Sequence, residues 1–237
     1  MTPANPPPDR QPPGAHGGDP VDRQKQAAAA AAAELVEPGT TVGLGTGSTV
    51  GHLLPALAAR AVPAVYVATS PATETAARQL GLDVRPFTDI AALDLAIDGA
   101  DQVADDGWLV KGGGGAHTRE KIVAVSARQF VVMVSSDKLT DRVRGPVPLE
   151  IFTFGAEATL ARLAELGDVR RRPAPVTPDG GVLADLWLDD LDPPQLAARL
   201  DADPGVVAHG LFPPAMTWLV LIATEGGVRR REVTRRP

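Results

Sequence analysis

The sequence predicts an α/β protein: a doubly wound, mostly parallel sheet joined to a second, smaller α+β domain. Three observations carry this. Short apolar runs alternate with helical segments from residue 22 to residue 136, the pattern of a parallel sheet covered by helices. The run "TTVGLG" (40–45) ends in glycines directly before a helical segment, as a strand does when it feeds a tight turn. After Gly145 the texture changes, with strand and helix segments mixed among more prolines.

Residues 22–36 read as an alanine-rich helix closed by "EPG". The strand at 40–45 leads into a helix from 48 to about 60, with a kink expected at Pro55. "AVYVAT" (64–69) is a strand, and "PATETAARQLG" (71–81) is a helix with Gly81 placed as its C-terminal cap. "DVRPF" (83–87) and "LDLAID" (93–98) are strands, 118–128 a helix, and "QFVVMVSS" (129–136) a buried strand. "LEIFTF", "EATLARLAELG", "VLADLWL", "PPQLAARL" and "VVAHGLF" supply the smaller domain, and "WLVLIAT" (218–224) is expected to return to the first sheet. The expected division is a disordered Pro/Gly-rich tail (1–21), a Rossmann-like α/β domain (22–145 plus about 219–231), an α+β domain (146–218) and a basic tail (232–237), with the end "VRRREVTRRP" read as a solvated terminus.

Of 237 residues 44% are hydrophobic, enough for a globular core. A net charge of −6 argues against non-specific nucleic-acid binding. With no cysteine, disulfides and thiolate chemistry are excluded, which fits a cytoplasmic setting. The first twenty residues lack the basic-then-apolar order of a signal peptide, and no stretch reaches membrane-spanning length.

Ligands of open parallel sheets bind beyond the carboxyl ends of the strands. Four clusters fall there: Gly45 to Thr49, Ser70, Asp98 to Asp101, and Ser135 to Lys138. "GLGTGST" follows a strand and opens a helix, the setting for a phosphate on a helix N-terminus. It is not a dinucleotide fingerprint, because Ser48 and Val50 stand where the third glycine would be, and no acid lies between Glu37 and Glu74 to hold a ribose. It is not a Walker A loop either, since the chain has no Gly-Lys pair. Backbone amides and the hydroxyls of Thr46, Ser48 and Thr49 remain, which suit a small phosphate or sugar phosphate; an ordinary junction with Ser48 as a cap is the equal alternative.

Taken singly, the next residues read blandly. Asp98 and Asp101 suit a turn. Glu120 suits the first turn of a helix capped by Thr118. Lys111 alone suggests a solvated surface lysine. Histidines 16, 52, 117 and 209 are scattered, so no histidine cluster supports a transition-metal site. The run Gly112, Gly113, Gly114 and Gly115 beside Lys111 is different: four glycines cost backbone entropy and make sense where amides must approach a ligand. Together the stretch holds a base, two further carboxylates, a cation and amide donors, the inventory for moving a proton next to a carbonyl.

The stretches "GLGTGST", "DGAD", "KGGGGAHTREKI", "SSDK" and "VPLEI", with later echoes "GLF" and "LIAT", resemble type A ribose-5-phosphate isomerase over roughly residues 22–230. The resemblance implies interconversion of ribose 5-phosphate and ribulose 5-phosphate through an enediol, without metal or nucleotide, in a homodimer or homotetramer. It implies that Glu120 moves the carbon-bound proton and that Asp98 and Asp101 handle hydroxyl protons and ring opening. Lys111 would offset negative charge on the sugar oxygens, and the amides of Gly112, Gly113 and Gly114 would assist. Thr46, Gly47, Ser48, Thr49, Lys138 and Lys25 would bind substrate and phosphate. The chain departs from the family at Gln102, where an acid is usual, at Gly115, where alanine is usual, and at His117, where an apolar residue is usual. A non-catalytic sugar-phosphate sensor, an amino-sugar phosphate deaminase and a CoA-transferase-like protein are the competing expectations; the set Asp98, Asp101, Lys111 and Glu120 argues against the first, and "TREK" after the glycine loop against the others.

Overall fold

The structure, a computed structural model, describes residues 19–234. Residues 1–18 of the expected tail lie outside that range, as do 235–237. Residues 19–21 correct its boundary: Asp19 accepts from the Val21 amide at 3.0 Å and starts a helix at Pro20, where a fixed proline φ suits the first turn.

In chain order the first half comprises α1 (Pro20–Ala33), β1 (Thr41–Leu44), α2 (Ser48–Arg60), β2 (Val65–Ala68), α3 (Pro71–Gln79), β3 (Asp83–Val84), β4 (Leu93–Asp98), β5 (Gln102–Ala104), β6 (Leu109–Val110), α4 (His117–Ser126) and β7 (Ala127–Ser135). The second half comprises β8 (Leu139–Thr140), β9 (Val147–Phe152), α5 (Ala156–Leu163), β10 (Asp168–Arg171), β11 (Gly181–Trp187), α6 (Pro193–Ala202), β12 (Val206–His209), β13 (Leu211–Phe212), β14 (Leu219–Thr224) and β15 (Gly227–Glu232).

The main sheet runs β15-β14-β7-β4-β1-β2-β3. All its pairings are parallel except β14 with β15. Counted along the chain, the six parallel strands follow the order 3-2-1-4-5-6, and the order reverses between β1 and β4. The crevice at that reversal is where such sheets take their ligands. Both faces are covered, so β4, β7 and β14 are nearly continuous apolar runs. The alanines of α1 let it lie close: Ala28, Ala29, Ala32 and Ala33 are buried in the cluster holding Val42, Leu44 and Met133.

A second sheet, β10-β11-β9-β12, is antiparallel and packs Leu149, Ile151 and Leu186 with Leu163 of α5 and Leu200 of α6. A third, β13-β6-β5-β8, is made of two- and three-residue strands that the sequence reading did not anticipate. Runs that short carry no period to read.

Three further expectations change. "DVRPF" forms a strand only over Asp83–Val84. Helix α4 ends at Ser126, and β7 begins at Ala127, earlier than expected. The basic end is not a free terminus over 227–232: it is β15, an edge strand on β14, and its run of arginines is the charged character expected of a protected edge. Gly81, by contrast, adopts a φ of 82° and donates to Arg78 just past α3, the capping role that its position implied.

Candidate active site

The loop after β1 and the loop after β4 meet at the reversal of strand order. Asp98 ends β4 and is buried, at 3% exposure. Its Oδ1 accepts from the Gly99 amide at 2.7 Å and the Thr46 amide at 3.2 Å. Gly45 makes this approach possible, since a Cβ there would sit 1.8 Å from the Asp98 carboxyl carbon. Thr46 Oγ1 lies 2.9 Å from Thr69 Oγ1, and Thr73 Oγ1 donates to the Gly45 carbonyl at 2.9 Å. Gly47, not Ser48, caps α2: its φ of 118° turns the chain, and Ser48 is the first helical residue. The amides at the start of α2 therefore face outward as an anion-binding end.

Lys111 is not a surface lysine. It is 2% exposed, with Nζ 2.7 Å from Asp98 Oδ2, 2.7 Å from the Gly99 carbonyl and 3.0 Å from Glu120 Oε2. Nζ also stands 5.5 Å from the centroid of the Phe212 ring, within cation–π range. Burial opposes its charge, but the carboxylates of Asp98 and Glu120 outweigh that and raise its pKa, so Lys111 is a fixed cation.

Glu120 lies in the first turn of α4 and is buried. Burial foremost, and then the Asp98 charge, raise its pKa to about 7 against the pull of Lys111. Its Oε2 makes an ion-pair contact to Lys111 without hydrogen-bond alignment, which leaves it able to take a proton. Asp98 is likewise raised, by burial, against Lys111 and its own hydrogen bonds.

Thr118 does not cap α4. Ala116 occupies that position, and the Thr118 hydroxyl donates to the buried Glu150 of β9. The same glutamate accepts from Thr177 at 2.5 Å, so the helix bearing Glu120 is tied to the second sheet.

The glycine loop crosses above Lys111. Gly113 N–H donates to Asp101 Oδ2 at 2.7 Å, and a Cβ on Gly113 would lie 2.9 Å from Asp101 Oδ1. Gly112 has φ 106° and packs on the His117 ring. Burial first, then Lys121, lowers the His117 pKa to about 3. The histidine that departs from the family is thus a neutral packing element. Gly115 has φ 74°, so alanine would be strained in this loop and the Leu183 side chain, 2.6 Å from such a Cβ, would have to shift. At Gln102 the amide side chain donates to the Arg144 carbonyl and accepts from the Arg144 amide, both at 2.8 Å. It is a brace between loops.

One cavity of about 130 Å³ collects these parts. It is lined by Thr46, Gly47, Ser48 and Thr49 from the loop after β1, by Asp101, Lys111, Gly112, Gly113, Gly114 and Glu120, and by Lys25 and Lys138. The side chain of Gln24, next to Lys25 on α1, accepts from the Ser136 amide and hydroxyl at 2.9 Å, which brings α1 to the end of β7. Asp98 lies outside the lining, with its Oδ2 on Lys111 Nζ, and so does Ser70, which caps α3, accepting from Thr73 at 3.1 Å. Arg172 was absent from the sequence reading. It comes from the second sheet side, and its Nη1 donates to the Gly112 carbonyl at 2.8 Å. Nothing local marks it, because in "VRRRP" it reads as one more surface charge. Among the described residues no group of three or more His, Cys, Asp or Glu is placed to hold a metal ion, and no helix is long and apolar enough to cross a membrane.

Comparison with known proteins gives a consistent answer. The family described as Ribose 5-phosphate isomerase A (phosphoriboisomerase A) matches residues 65–227. Ribose-5-phosphate isomerase A of Halobacterium salinarum is 44% identical over 223 residues, covering 91% of this chain and 98% of that protein. The Roseiflexus castenholzii protein of the same name is 43% identical over 218 residues, 86% of this chain and 93% of its own. Among solved structures, ribose 5-phosphate isomerase A from Methanocaldococcus jannaschii superposes with a TM-score of 0.84 at 30% identity, covering 89% of this chain and 99% of that one. A D-ribose-5-phosphate isomerase in complex with phospho-erythronic acid gives 0.85 at 29% identity, covering 90% and 99%.

Proposed function

The chain belongs to the ribose 5-phosphate isomerase A family, and on that premise we propose how its own residues divide the work. The protein is an aldose–ketose isomerase that interconverts D-ribose 5-phosphate and D-ribulose 5-phosphate through an enediol, in the non-oxidative pentose phosphate pathway.

Glu120 is the acid–base residue. As carboxylate it takes the proton from C2 of the open-chain aldose; as acid it returns the proton to C1, and the C1–C2 enediol becomes the ketose. A pKa near neutrality suits both directions. As the C2–H bond breaks, negative charge moves to the carbonyl oxygen. The Lys111 ammonium and the Gly114 amide meet it, with Gly112 and Gly113 lining the same cavity and the Gly113 amide taken up by Asp101. Asp101, on the cavity wall, handles the hydroxyl proton and ring opening. Asp98 has a second part besides the proton handling that its motif implies. With Oδ1 accepting two amides and Oδ2 accepting Lys111, its contribution is to hold Lys111 charged and in place. Thr46, Gly47, Ser48, Thr49, Lys25 and Lys138 bind the phosphate end, where the start of α2 and two ammonium groups complement a dianion. A related isomerase is solved in complex with phospho-erythronic acid, a small phosphate-bearing acid, which supports a sugar-phosphate ligand for this cavity.

The observation that carries the assignment is a buried lysine held between two carboxylates, one of which opens on the phosphate-binding cavity. The test is conversion of ribose 5-phosphate by the purified protein with EDTA present. Folded protein that binds the sugar phosphate without converting it would restore the sensor reading. The same reading extends to a homodimer or homotetramer in the cytoplasm, supported by the family resemblance and checked by light scattering and cell fractionation.

A further inference from the structure

The Gly112–Gly113 peptide is held at both ends. Its N–H donates to Asp101, and its C=O accepts from Arg172 Nη1 at 2.8 Å. In a planar trans peptide these two groups point in opposite directions, so each contact enforces the other. The Gly113 carbonyl lies 3.3 Å from the same nitrogen, and by the same geometry the Gly114 N–H turns away from Arg172; Gly114 itself lines the cavity. Arg172 is itself fixed. Asp185 of β11 accepts from its Nε at 2.8 Å and from Nη2 at 2.6 Å, a two-point grip that leaves Nη1 aimed at the loop. Within the loop the Gly112 carbonyl also accepts the Gly115 N–H at 3.0 Å, closing a turn; glycines have no side chains to hold that turn further, and Arg172 adds an anchor to the same carbonyl from outside the loop.

We propose that Arg172, braced by Asp185, is a positioning residue for the isomerisation: it reaches from the second sheet to the glycine loop and sets its peptide planes so that the Gly113 amide holds Asp101 and the Gly114 amide meets the sugar oxygens. This rests on the isomerase reading of the site. It makes the smaller sheet part of the catalytic apparatus, through contact with backbone and not with substrate.

The test uses Arg172→Ala and Arg172→Lys in the full chain, with kinetics on ribose 5-phosphate measured well below each variant's unfolding midpoint. Misplaced oxyanion donors act on the transition state more than on ground-state binding. The expected result for Arg172→Ala is therefore a kcat lower by about tenfold to a hundredfold with KM changed less than about threefold, partly restored by added guanidinium ion. Lysine cannot make the two-point contact to Asp185 and still reach the loop carbonyl, so Arg172→Lys should also lose kcat, about fivefold or more. Wild-type kcat in either variant, or a loss that guanidinium does not recover in Arg172→Ala, overturns the proposal. Should the alanine variant not fold, the lysine variant decides: a loss of kcat supports it, and wild-type kcat overturns it. Failure of the wild-type protein itself to isomerise would instead overturn the reading of the site.

Discussion

Lys111 Nζ stands 2.7 Å from Asp98 Oδ2, with the two side chains 3% and 4% exposed. A buried ion pair of this kind is costly to break from one side, because the partner is left charged and dry.

Removing the cation as Lys111→Met should therefore destabilise the fold by about 3–5 kcal/mol and lower kcat by about 10²-fold or more, since charge on the sugar oxygen loses its counter-charge. Denaturant unfolding and initial rates measure the two effects separately. A stable variant with ordinary kcat would show that Lys111 has neither role.

Glu120→Gln keeps the shape of the side chain and removes the base. Its kcat should fall by about 10²-fold or more. In the wild type, kcat/KM should decline below a pKa of about 7, because protonated Glu120 cannot accept a proton. That acid limb belongs to the interacting Glu120–Asp98 pair. The stability effect has the opposite sense. Burial raises the Glu120 pKa from its ordinary 4.5 to about 7, so the folded state holds the proton more tightly than the unfolded chain. The resulting stability is complete below the ordinary value and lost as pH rises through 7. Glu120→Gln should thus unfold at a higher temperature than wild type at pH 8 and gain least in acid; calorimetry across pH checks the sign.

Lys138 is 37% exposed and lines the cavity beside Asp137. Lys138→Ala should raise KM for ribose 5-phosphate by about tenfold with little change in kcat, since binding of the remote phosphate is lost equally in ground and transition states. Unphosphorylated ribose should show no such penalty. An equal loss with both sugars would place Lys138 outside phosphate binding.

Gly45→Ala and Gly47→Ala separate space from backbone strain. At Gly45 a methyl would overlap the Asp98 carboxyl group, 1.8 Å away, so the pair with Lys111 must shift and activity should fall to near background. At Gly47 the space is open but φ is 118°, so alanine should cost about 1–3 kcal/mol of stability. Circular dichroism melts alongside rates distinguish the two variants.

What the sequence by itself determined follows from local chemistry. Helices α2 and α3 and strands β4 and β14 were legible because each is one uninterrupted helical or apolar run with its own end signal, as at Gly81 after α3. The motif residues were legible because glycines, acids and hydroxyls gather just past strand ends, where a parallel sheet presents its ligand. Tertiary structure decided what depends on distant partners. Lys111 became a buried cation because Asp98 and Glu120 come from β4 and α4 to enclose it. Asp98 became its holder because Gly45, in the loop after β1, leaves room for the carboxylate. Thr118 turned from a cap to a tether because Glu150 waits on β9. Arg172 left the surface for the glycine loop because Asp185 directs it there. Periodicity reports which way one segment faces, whereas burial and pairing are set by groups on other elements, and those enter only once the chain has closed on itself.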